Sequence, residues 1–274
     1  MSLVWPVLVV LATVGLAVGA ILLVRRRAPE GGFFNDSDRA SGVFGAITTG
    51  FSVLLGFVIF LAFTSYDETK RGAEQEALIV AQQFETAQFM PPGQREALGD
   101  GLVCYAAYVV NREWPQLEDG TLGNAFNPWG IALFRTLQEV EPEGATEETA
   151  FGKWLDQSSD RGAARQDRIH AAEGVVPTPL WPVLFLAALI IFAYMLFYAD
   201  SGERKKAQSA LVGGVVSVVV ATLLLLWFLD NPYHGGVGTL EPTAMERTQE
   251  ILAAERQLVG SRNPLPCTET GEPR

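Results

Sequence analysis

Four stretches of the chain carry no charged residue for about twenty positions each: 3–24, 43–66, 180–199 and 209–229. A helix rises about 1.5 Å per residue, so each stretch is long enough to cross a hydrocarbon layer of roughly 30 Å. A crossing segment must satisfy its own backbone hydrogen bonds, which predicts helix for all four. Four buried helices of a soluble protein would show some polar positions, and the leucine- and valine-rich run 215–229 has no polar face.

The pattern changes after Tyr66. The chain continues as DETKRGAEQEALIVAQQFETAQFM, in which Ala73, Ala77, Val80, Ala81, Phe84 and Ala87 recur at steps of three and four. That spacing makes one apolar stripe and predicts a single helix from about Val43 to Met90, with Gly72 as its weak point. Pro91-Pro92-Gly93 stops it, because proline lacks an amide hydrogen and bars the preceding residue from helical angles.

Further helices are expected at about 93–113, 128–140 and 146–173, the last opening with T-E-E-T, a capping pattern, and mostly polar at its far end. A helix at about 242–259 follows the fourth apolar stretch, and the proline-rich end after it is expected to fray. Two-residue alternation of strand length is missing. The fold class is therefore all-α: a four-span transmembrane protein with a helical extracytoplasmic domain inserted between spans 2 and 3. The divisions fall at 1–66, 67–179, 180–229 and 230–274.

Composition accounts for the same layout. Of 274 residues only 19 % are charged, against about 25 % in an average protein. Arg25, Arg26 and Arg27 follow the first apolar stretch, and Arg204, Lys205 and Lys206 lie between the third and fourth. Short loops rich in Lys and Arg stay cytoplasmic, which puts both termini and residues 67–179 on the other side of a cell inner (plasma) membrane. The insert 67–179 holds 9 basic and 19 acidic residues, so most of the net charge of −11 falls there. Nucleic acid, which rewards clustered cations, is excluded as a partner. The arginines follow the first apolar stretch instead of preceding it, so this stretch reads as a retained anchor, not a signal peptide. Trp5, Trp181, Tyr194, Tyr198, Trp227 and Tyr233 sit near the boundaries, where amphipathic rings are favoured.

Catalytic chemistry is not assembled by this sequence. It has two histidines, no metal-ligand spacing, no phosphate loop and no nucleophile motif, so neither an enzyme nor a cofactor is expected. His170 lies in a polar helix and is expected to be solvated. Asp230, Asn231 and His234 lie in LDNPYHGG, where the fourth span ends. They form either a structural elbow, with Gly235-Gly236 supplying unusual backbone angles, or a site for an ion or a head group. Cys104 and Cys267 are the only cysteines, and both fall on the oxidising side. They form either a disulfide tying the tail to the inserted domain or a pair of small hydrophobes.

The spans themselves hold no ionisable side chain, which weighs against a proton-coupled transporter. Span 2 carries Ser41, Gly45, Thr48, Thr49, Ser52 and Gly56 at steps of three and four, followed by Phe57, Phe60 and Phe63. Small and hydroxylated stripes let helices approach closely. The alternative is that Thr48, Thr49, Ser52 and Gly56 form the polar wall of a pore, with the phenylalanines as a constriction that excludes water.

Residues 44–77, FGAITTGFSVLLGFVIFLAFTSYDETKRGAEQEA, and 229–236, LDNPYHGG, resemble a bacterial membrane family described as a bestrophin-like domain of unknown function. Tyr66 with the charged stretch after it, Trp114-Pro115 and PLW at 179–181 fit the same pattern, which covers about residues 40–260. True bestrophins are pentameric anion channels whose pore neck is lined by aromatics of the second membrane helix, and the counterparts by region are Phe57, Phe60 and Phe63. The resemblance implies a homo-oligomeric ion channel whose partners are the lipid bilayer, further copies of the chain and small inorganic ions. The rival reading is a non-conducting envelope protein whose outer helices bind a partner or sense a stimulus.

Overall fold

The structure, a computed structural model, describes residues 4–121, 126–234, 236, 238–261 and 263–274. It resolves into two compact units, residues 1–65 with 174–231, and residues 66–173 with 232–274. Among the described residues four helices are long and apolar enough to cross a membrane: α1 (Val4–Arg25), α2 (Ser37–Ala87), α7 (Leu180–Phe197) and α8 (Lys205–Asp230).

In the first unit α1 packs along α8, and α7 touches both. Gly213 lies where α8 meets α1, and a Cβ there would touch Val14 and Val18 at 3.4 and 3.7 Å. At the end of these helices Phe34 and Phe44 lie against Tyr194 and Tyr198, with ring centroids 5.0–6.0 Å apart. Such aromatic contacts add about 0.5–1.5 kcal/mol per pair to the area they bury. The Asp200 carboxylate accepts the amides of Gly31 (3.0 Å) and Gly202 (2.7 Å), joining the connection after α1 to the connection after α7.

The second unit contains the latter part of α2, then α3 (Pro92–Tyr108), a π-helical turn at Val109–Glu113, α4 (Trp114–Glu118), α5 (Pro128–Gln138), α6 (Ala145–His170) and α9 (Thr243–Leu258). Pro92 and Pro128 stand in the first turns of their helices, where the missing donor costs nothing. The Asn127 side chain caps α5 by accepting the Trp129 amide at 3.0 Å. Leu98, Leu102, Trp114, Leu117, Leu133 and Trp154 fill the core.

Three details depart from the expectation. The helix expected to stop near 113 runs on through the π turn to Glu118, because Pro115 falls in the first turn of α4, where no amide is missed. Gly72 is a contact point, not a weakness: a Cβ there would lie 2.7 Å from the Arg168 amide nitrogen and 2.8 Å from the Ala164 carbonyl, so α2 and α6 cross there almost backbone to backbone. The proline-rich tail is docked, not frayed. Cys267 is bonded to Cys104, Trp129 Nε1 donates to the Gly271 carbonyl at 2.5 Å, and Arg112 pairs with Glu272 at 2.6 Å. Gly271, with φ +80°, lies so close to Tyr108 that any side chain would collide with its backbone.

Candidate functional site

The face of α2 that carries the hydroxyl stripe is turned away from the rest of the chain. Phe51, Leu55, Val58 and Ala62 form the buried face. At about 100° per residue, Gly45, Thr49, Ser52, Gly56, Phe60 and Phe63 fall within about 80° of arc on another face. Thr49, Ser52 and Gly56 are exposed, and Phe60 and Phe63 are 64 % and 55 % exposed. Phe57 is also exposed but lies about 60° beyond Phe60. Thr48 lies beside the buried face and donates its hydroxyl to the carbonyls of Phe44 (2.9 Å) and Gly45 (3.1 Å). Helical periodicity thus separates Thr48 and Phe57 from the other residues of the stripe.

Asp230 is buried in the first unit. Its Oδ1 accepts the amides of Val175 (2.6 Å) and Val176 (2.7 Å), next to Gly174 with φ +84°. Asn231 donates from Nδ2 to the Trp227 carbonyl at 2.9 Å. These contacts fix the chain ends before α7 and after α8, the work of an elbow. His234 is exposed and falls in the second unit, and of Gly235-Gly236 only Gly236 is among the described residues, with φ 137°.

A buried charge network in the second unit has no counterpart in the sequence reading. Arg168 donates from Nε to Glu76 at 2.5 Å and from Nη2 to Glu113, and Arg165 pairs with Glu113 at 3.1 Å. Tyr105 donates to Glu76 at 2.5 Å, Arg161 to Gln83 at 2.5 Å, and Tyr233 to the Arg168 carbonyl at 2.5 Å. Burial alone would raise the Glu113 carboxyl, yet Arg168 and Arg165 hold it below its ordinary range. Burial likewise opposes the Arg168 charge, and Glu76 and Glu113 overcome it and hold the guanidinium firmly protonated. Burial next to Glu76 pushes the Tyr105 phenol well up. The π turn sets Glu113 among these groups, because the extra residue per turn shifts which side chains face inward. The signal was present along α6: Trp154, Gln157, Arg161, Ala164 and Arg168 recur at three and four and continue the apolar stripe with arginines.

No group of three or more metal-ligating side chains exists among the described residues. What the structure offers is one unit of apolar spans with an outward-facing hydroxyl and aromatic stripe on α2, and a second, helical unit tied by a disulfide and a buried charge network. That is the build of a multi-pass helical membrane protein. The chain belongs to the bestrophin-like domain family, whose model matches residues 11–244. No curated protein matches it. Similar solved structures include a bacterial bestrophin homologue from Klebsiella pneumoniae with a leucine-to-threonine substitution, at TM-score 0.70 and 12 % identity, covering 92 % of this chain and 99 % of that one. An isoleucine-to-threonine variant of the homologue from the same organism gives TM-score 0.66 at 12 % identity, over 93 % and 98 % of the two chains. A structure described as a membrane protein with a proline-to-alanine substitution gives 0.68 at 12 % identity, over 92 % and 99 %. These likenesses show a shared fold.

Proposed function

We propose that the protein is a homo-oligomeric ion channel whose pore is lined by α2. The observation that carries this reading is the outward stripe of Thr49, Ser52, Gly56, Phe60 and Phe63 on a helix that buries a different face against its own chain. Hydroxyls on the outside of a membrane helix gain nothing from lipid tails. Further copies of the chain around an axis supply water or polar neighbours instead. Thr49, Ser52 and Gly56 then form the wetted wall, and Phe60 and Phe63 a ring that narrows it and controls wetting. Membership of the bestrophin-like family supports the same reading.

The helical unit lies on the extracytoplasmic side in this account, together with both termini. The cations of residues 25–27 and 204–206 support that orientation, as does a Cys104–Cys267 bond, which persists in an oxidising compartment. The carboxylate excess of that unit raises the local concentration of cations around it.

Recordings from planar bilayers containing the purified protein, with potassium chloride gradients, test the reading. Unitary currents are expected, and Phe60→Ala should raise open probability by removing the apolar ring. The reversal potential reads the sign of the permeant ion. Silence from folded, oriented protein across voltage, calcium and pH would overturn the channel reading in favour of an anchored binding protein.

A further inference from the structure

The first unit contains a second feature that the pore does not use. A cavity of about 380 Å³ opens between α1, α7 and α8, lined by Leu16, Ala17, Ala20, Ile191, Met195 and Val219 among others. Its one polar lining residue, Thr13, has its hydroxyl committed to the carbonyls of Val9 (2.8 Å) and Val10 (3.0 Å). The cavity therefore presents only apolar surface and accepts a hydrocarbon chain without leaving a polar group unsatisfied.

Toward one end of this cavity α1 ends at Arg25, with Arg26 and Arg27 following, and α8 begins at Lys205 after Arg204, while the last turn of α7 holds no cation. Arg27 lies in the turn two residues past the end of α1, its amide donating to the Val24 carbonyl at 2.9 Å, and so stands beyond the Ala20 end of the cavity lining. On α8, Lys205 precedes Val216 by eleven residues, which puts it on the same face and about 16 Å away. Arg25 draws the two segments together by donating to the carbonyls of Ser201 (2.8 Å) and Glu203. Arg26, Arg27, Arg204, Lys205 and Lys206 are all exposed, and none is in an ion pair among the described residues. Of the acidic groups in residues 25–42 and 200–208, Asp200 already accepts the Gly31 and Gly202 amides and Asp36 the Arg39 amide, which leaves Glu30, Asp38 and Glu203 against these five cations together with Arg25 and Arg39. The first turn of α8 also lacks a side-chain cap.

We infer that this groove and its basic rim hold one anionic phospholipid, its phosphate between Arg27 and Lys205 and one acyl chain between α1, α7 and α8. Charge complementarity selects the headgroup, and the apolar lining selects the chain. A zwitterionic lipid offers the same chain but no net charge to the rim. The inference does not depend on conduction, because lipid retention is read directly.

The experiment is native mass spectrometry of the full-length protein released from mixed vesicles of phosphatidylglycerol and phosphatidylcholine. The wild type should retain phosphatidylglycerol in clear preference. Arg27→Gln with Lys205→Gln, which removes two membrane-facing cations, should weaken retention on the order of thirtyfold. Ala188→Phe, which fills the groove and leaves the rim intact, should also release the lipid, and unchanged assembly mass shows that the variant has folded. Equal retention of the two lipids would overturn the inference. So would wild-type retention in the double charge variant, or complete displacement by millimolar inorganic phosphate, which would leave a free-anion site only.

Discussion

Substituting Gly72 by alanine sets two physical effects against each other with opposite signs. In an open helix interior the change stabilises by about 1 kcal/mol, because glycine has more backbone freedom to lose. At the α2–α6 crossing the new Cβ would lie 2.7 Å from the Arg168 amide nitrogen, 2.7 Å from Asp167 Cβ and 2.8 Å from the Ala164 carbonyl oxygen. Two of these three atoms are backbone, so no rotamer change relieves the contact and α6 must move. Overpacking of this kind costs about 1–3 kcal/mol, and backbone contact places Gly72→Ala at the upper end. The net effect is a loss of about 2 kcal/mol. For a unit of about 150 residues, 1 kcal/mol corresponds to about 2–4 °C, so the melting temperature should fall by about 4–8 °C. Thermal unfolding in detergent, followed by tryptophan fluorescence, reads this through Trp114 and Trp154. Gly152→Ala and Gly162→Ala on α6, where a Cβ meets nothing within 4 Å, provide the comparison and should raise the melting temperature. A Gly72→Ala protein that melts at or above those two variants would refute the backbone-to-backbone crossing.

The charge network and the tail yield further expectations. Arg168→Ala leaves Glu76 and Glu113 buried without their shared cation, and should cost about 3–5 kcal/mol in the same unfolding assay. Glu113 has a depressed carboxyl, so its contribution is present in full above the ordinary value of 4.5 and is lost as pH falls through the lower folded value. The melting temperature should therefore drop below about pH 4.5, and Glu113→Gln should flatten that drop while lowering stability at neutral pH. Closing a loop across 163 residues implies about 5 kcal/mol from chain entropy, so Cys104→Ala or reduction should destabilise the second unit by about 3–5 kcal/mol, measured as the shift between oxidised and reduced protein.

Much of the fold could be read from the sequence because its strongest signals are local. Four uninterrupted apolar windows identify the spans without any knowledge of their neighbours, and Pro92 and Pro128 mark helix starts through the donor they lack. The long α2 was visible for the same reason: past Tyr66 its apolar stripe runs from Ala73 through Ala77 to Ala87, with no proline before Pro91. What was not legible depends on contacts between distant segments. Gly72 looks like a defect until α6 is laid across it. The tail looks frayed until Gly271 is set against Tyr108 and Trp129. The arginines of α6 look like a solvated end, because a buried cation makes sense only when Glu76 and Glu113, 92 and 55 residues away, are brought to it. Within the stripe of α2, one-dimensional spacing grouped Thr48 and Phe57 with their neighbours, and helical angle set them apart.

The pore reading rests on which side of α2 meets water, and cysteine accessibility measures that directly. Both native cysteines are joined to each other, so an introduced thiol reports without background. A charged, membrane-impermeant methanethiosulfonate should modify Ser52→Cys and reduce the current, while Leu61→Cys, about 180° around the helix, should be untouched. Modification at Leu61→Cys with Ser52→Cys protected would contradict the account, because the hydroxyl stripe would then face protein or lipid and the channel would have to be built from another surface.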